Sequence, residues 1–120
     1  MKILETELEF EFSDADDMEK LEKAIDITQE ELMKIEIKNK KNSEIIRETC
    51  NCIFNCFNQT FGEGSDKKIF GEKTNFKLCL QAFKDLCEAR IKEEEEFKDV
   101  VNDMENKYTP NRAQRRNLKQ

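Results

Sequence analysis

The sequence predicts a mainly α-helical fold, a small helical bundle with a short N-terminal β-strand or hairpin and a long C-terminal helix. Two observations carry that prediction. Charged residues make up 40% of the 120 and the hydrophobic set 37%, with only three Gly and one Pro, a balance that suits long amphipathic helices with few interruptions. Apolar positions recur at three-four spacing over most of the chain after residue 17, as they do along one helix face.

Residues 3–12 follow a different rule. Leu4, Thr6, Leu8, Phe10 and Phe12 share one parity and Glu5, Glu7, Glu9 and Glu11 the other, the period of a half-buried strand. One strand cannot satisfy its own backbone, so it either folds back near Glu5 and Thr6 as a hairpin or pairs with another chain. Ser13-Asp-Ala-Asp-Asp17 supplies side-chain acceptors and negative charge for a helix start. It lacks the Gly and terminal Glu of a calcium loop. The first helix then carries Met18, Leu21, Ile25, Thr28, Leu32 and Ile35 on one stripe, and Lys38 to Asn42 interrupts it, with Asn42 or Ser43 as the next cap.

The second helix, about Ser43 to Phe61, is apolar over more than half its circumference: Ile45, Ile46, Cys50, Cys52, Ile53, Phe54, Cys56, Phe57 and Phe61 exceed one face. Such a helix is either central in a bundle or lends its second face to a partner. Gly62 is expected as a left-handed C-cap, and Ser65 to Gly71 reads as one short capped turn with Ile69 and Phe70 tucked inward. Phe61-Gly-Glu-Gly-Ser65 lacks the Gly-Lys-Ser/Thr ending of a phosphate loop. Thr74 or Asn75 opens a last helix that runs to about Lys107; Lys92-Glu-Glu-Glu-Glu96 is too charged for a core, so the helix is expected to leave the body there.

The domain reading is a single helical domain over 1–107, with its β element at about 2–12, followed by a flexible basic tail over 108–120. Lys107 to Gln120 holds five of the 21 Lys and Arg and none of the 27 Asp and Glu, leaving −11 on residues 1–106. Pro110 cannot donate a backbone hydrogen bond and disfavours helical geometry at Thr109. No apolar run approaches the ~20 residues that cross a bilayer, and the N-terminus lacks a signal-peptide core, so a soluble, cytosolic protein without membrane partners is expected.

Nothing in the sequence builds a reactive centre. Histidine is absent, which removes the commonest acid–base side chain near neutral pH. Cys50, Cys52, Cys56, Cys79 and Cys87 lack the paired Cys-x-x-Cys spacing of zinc knuckles and read as reduced, small apolar core residues. No enzyme, cofactor or metal is expected.

Three stretches carry a resemblance: Leu8 to Phe12 leading into Ser13 to Lys20; Phe61 to Ser65 with Ile69-Phe-Gly-Glu-Lys-Thr-Asn75; and Tyr108-Thr-Pro-Asn-Arg-Ala-Gln-Arg-Arg116. Together they resemble a small uncharacterised family from phages and prophages of Gram-positive bacteria, itself similar to the tail assembly chaperones of long-tailed phages. The resemblance spans nearly the full chain, with Asn111 to Arg116 its most specific piece. It implies a non-enzymatic protein of the host cytoplasm that associates with the tape measure protein, and in some settings the tail tube protein, and keeps the former soluble until tube subunits polymerise around it. Homo-oligomers are compatible with that role.

For a partner groove the candidate residues are Ile53, Phe54, Phe57 and Phe61, and for the basic arm Arg112, Arg115 and Arg116. The rival reading is an acidic phage protein that imitates nucleic acid and inhibits a host DNA-binding or defence enzyme. Salt separates the two, since a mimic loses its partner steeply as ionic strength rises. A nucleic-acid arm is disfavoured: three Arg and Lys119 neutralise about four phosphates beside a body of −11, so no specific nucleic acid is expected.

Overall fold

A computed structural model describes residues 1–108, with the side chain of Tyr108 excepted; the basic arm with Arg112, Arg115 and Arg116 lies outside the described residues. The chain runs β1 (Lys2–Ile3), β2 (Thr6–Glu7), α1 (Ala15–Met33), α2 (Asn42–Phe61), α3 (Ser65–Phe70) and α4 (Phe76–Tyr108). The helical bundle, the N-terminal hairpin and the long last helix are all present. Contacts group the chain into two compact units that meet inside α4, the first being Met1–Glu88. Leu86 is the last sealed side chain of the first unit's core.

The two strands pair antiparallel, Lys2 opposite Glu7 and Ile3 opposite Thr6. Leu4 opens the turn at φ 52°, the positive value that two-residue hairpin loops usually assign to Gly or Asn. It holds that geometry while packing against the core. Past residue 7, Leu8 N–H donates to Met1 O at 2.6 Å, and the Met1 ammonium reaches Leu8 O at 2.8 Å. The alternation persists without a ladder. Leu8 is buried and Phe10 and Phe12 are half-buried, whereas Glu9 and Glu11 are exposed.

Asp14 caps α1, its carboxylate accepting the Asp17 N–H at 3.0 Å, while Asp17 in turn accepts the Glu11 N–H at 3.0 Å. The predicted stripe then turns inward through Leu21, Ala24, Ile25 and Thr28. Thr28 is the one polar member, and its hydroxyl donates to Ala24 O at 2.6 Å, which removes the cost of burying it. At α2 the expected cap is not realised: Asn42 is already helical, and Lys41 at the N-cap makes no side-chain cap bond. Lys40 instead anchors this junction, its ammonium reaching both carboxylate oxygens of Glu48 at 2.8 and 2.9 Å.

Gly62 ends α2 with positive φ, but at φ 105° and ψ 161° it is not the left-handed helical cap expected. Such a conformation is essentially restricted to glycine. It redirects the chain into α3, where the Ser65 hydroxyl donates to Gly62 O at 2.6 Å. Asn75 starts α4, accepting the Leu78 N–H at 3.1 Å. In the unit Met1–Glu88 all four helices and the hairpin supply one core, with Ile3 and Leu8, Leu21 and Ile25, Cys50, Ile53, Cys56 and Phe57, Phe70, and Cys79, Ala82 and Leu86 sealed.

Candidate partner-binding surfaces

The apolar excess of α2 is absorbed inside the chain. Ile53 and Phe57, two of the four residues expected to line a partner groove, are completely buried, and no partner can touch them without unfolding the bundle. Phe54 and Phe61 are half-buried at the core margin. Short segments distant in sequence cover this second face. Phe70 of α3 packs on Phe54 and Phe57, with ring centroids at 5.1 and 5.7 Å. Phe10, beyond the hairpin, meets Phe61 at 5.4 Å and Phe12 at 4.8 Å. α2 is therefore a central helix, and its helical periodicity alone could not reveal what would lie on it.

Large apolar side chains remain exposed elsewhere. At the corner between α1 and α2, Met33 is 86% and Ile37 72% exposed, and the same corner holds a shallow depression of about 380 Å³ lined by Lys34, Ile35, Lys40, Glu48 and Cys52 among others. Methionine suits such a surface because it is flexible and polarisable and so fits irregular apolar partners. A second, more polar cleft of about 610 Å³ lies between the hairpin exit and the end of α2, with Phe10 and Phe61 in its lining alongside Glu9, Glu11, Asp17 and Lys20. Phe61 is the groove candidate that lines this cleft.

The third surface belongs to the unit that starts at Ala89. Ile91, Phe97, Val100, Val101 and Met104 are all exposed there. Their spacing was visible in the sequence, and their exposure follows from the charged run Lys92 to Glu96 before most of them. Within this unit Arg90 Nε donates to Glu94 Oε1 at 2.9 Å, one helical turn apart.

Three of the cysteine thiols are held above their ordinary range. Burial, above all, pushes the Cys56 thiol up to about 11, against weaker opposing hydrogen bonds from Thr28 and Thr60. Cys79 is raised further, by burial first and then by its neighbour Cys50. Cys52 is raised by partial burial and by Glu31, so it too departs from the sealed-core reading while staying protonated near neutral pH. Among the described residues no group of three or more His, Cys, Asp or Glu side chains is placed to hold a metal, and no helix is long and apolar enough to cross a membrane.

Fold and surfaces together define a small α-helical bundle with an N-terminal hairpin and apolar side chains exposed at its helix ends. Residues 4–119 match the model of a family described as "Family of unknown function (DUF6673)", and the chain belongs to that family. No curated protein matches it, and no solved structure does.

Proposed function

We propose that this protein is a tail assembly chaperone of a long-tailed phage, which binds the tape measure protein in the host cytoplasm and keeps it soluble while tail tube subunits assemble. The observation that supports this reading best is the exposure of two large apolar side chains, Met33 and Ile37, on the connection from α1 to α2. Exposed apolar side chains among charged sequence neighbours such as Lys34 and Lys38 are suited to cover an apolar stripe on a client helix and to let it go. The resemblance of the Asn111 to Arg116 ending to phage proteins adds to it. A net charge of −6 would keep coated clients apart in solution.

Co-expression with a candidate tape measure protein tests this. The tape measure should move from the insoluble to the soluble fraction and co-purify, and the double substitution Met33→Asp, Ile37→Asp should abolish both effects without changing the melting of the bundle. A tape measure that stays insoluble with the unaltered protein refutes the client. Loss of the complex at about 0.5 M salt, where exposed charge interactions are screened within a few Å, would favour the nucleic-acid mimic instead.

A further inference from the structure

The second half of α4 carries a seam of its own. Phe97, Val101 and Met104 follow the four-three spacing of a heptad pattern, and Tyr108 takes the next register position. Phe97 is 69% exposed and Met104 54%, with Val100 at 58% on the flank. In heptad terms Phe97 and Met104 hold d, Val101 and Tyr108 hold a, and Lys98 and Glu105 both hold e.

We propose that this seam pairs with the same seam of a second copy of the chain, running antiparallel, with Phe97 level with position 108 of the other copy and Val101 level with its Met104. The charges flanking the seam select this orientation, which is the role e and g positions play in helix pairs. Antiparallel pairing brings e positions together. In this register each Lys98 meets Glu105 of the other copy, one axial step of about 3 Å away, and the contact forms twice. A parallel pair in register sets Arg90 against Arg90 and Glu94 against Glu94 on the seam, although these two residues already neutralise each other within one helix at 2.9 Å.

The sequence after Tyr108 carries Arg112, Arg115, Arg116 and Lys119 and no acidic residue, and the acidic run Glu93 to Glu96 of a second copy is its complement in charge. The overlap is 12 residues, about 18 Å of helix, so the association is reversible and in the micromolar to millimolar range. It does not depend on the identity of the client. A dimer does present two α1–α2 corners, and two linked sites hold a long client more tightly than either alone.

Sedimentation velocity of the full chain, from about 10 μM to about 1 mM, should show the mean mass rise from 14.3 kDa towards twice that value. Val101→Glu with Met104→Glu should hold it at the monomer with the bundle's melting unchanged. Lys98→Glu should weaken association about tenfold, since it replaces two exposed ion pairs, each worth roughly 1.4- to 5-fold, by repulsion. Adding Glu105→Lys to Lys98→Glu should restore it. Ending the chain at Tyr108 should also weaken it about tenfold. A monomer throughout the range overturns the proposal. So does rescue of Lys98→Glu by Glu93→Lys but not by Glu105→Lys, the signature of parallel pairing, and so does a truncated chain that associates as tightly as the full one.

Discussion

Phe57→Ala separates core from partner surface on α2. The ring is sealed and lies 5.7 Å from Phe70 edge-on and 5.9 Å from Phe61 in a stack. Truncating a buried phenylalanine costs about 3–5 kcal/mol through lost transfer energy and the cavity left behind, and the two aromatic contacts place this site at the upper end. For the unit of residues 1–88, total stability by size is on the order of 4–13 kcal/mol. The substitution therefore removes a third of it or more. At about 4–8 °C per kcal/mol for a domain this small, the midpoint should fall by at least ~12 °C, read by circular dichroism at 222 nm. Phe97→Ala is the matched control, since that ring is 69% exposed, and its midpoint should stay within ~2 °C. Equal, small shifts for both would refute the placement of Phe57 in the core and return it to the groove that the sequence suggested.

Three further outcomes follow from single features. Asp14→Ala removes the acceptor of the Asp17 N–H and should cost about 0.5–2 kcal/mol in urea unfolding; an unchanged midpoint would mean that Asp17 or water replaces the cap. Gly62→Ala should destabilise by about 1–3 kcal/mol although nothing lies within 4 Å of the added methyl, because the cost is backbone strain at φ 105°; a neutral substitution would show that the turn relaxes. The Cys56 thiol sits at about 11 in the folded chain against 9.0 for a free cysteine, so the unfolded chain releases its proton first. This contribution is complete below pH 9 and lost between about pH 9 and 11, on the order of 2–3 kcal/mol. Cys56→Ala should flatten that part of the stability profile, and an identical slope in both proteins would count against the shift.

Patterns that depend on local chain geometry were legible in the sequence. The parity of Leu4 to Phe12 gave the inward and outward faces correctly even where no strand forms, because alternation follows from extended backbone whether or not a ladder accompanies it. The α1 stripe and its acidic cap, the short α3 and the start of α4 after Asn75 rest on the same kind of local chemistry. What surrounds a face is not local. Ile53 and Phe57 looked available on periodicity, and elements distant in sequence decide that they are not: both are sealed in a core shared with α1 and α4, and Phe70 lies against Phe57. The Gly62 geometry was also out of reach, since a glycine after a helix is consistent with several positive-φ conformations.

The exposed seam on α4 has a simple origin in element lengths. α1 has 19 residues, α2 has 20 and α4 has 33. At 1.5 Å per residue these are about 28, 30 and 50 Å, so neither shorter helix alone can line α4 over its whole length. Phe97, Val100, Val101 and Met104 are exposed, and apolar residues exposed at seam spacing suit an outside neighbour. The mixed charges at Lys98 and Glu105 match a copy of themselves in reverse better than they match a uniformly basic or acidic partner. The surplus hydrophobicity that the sequence placed on α2 is therefore real but differently located: α2 spends its share on the core, and α4, the helix too long for its neighbours, holds the part left over for assembly.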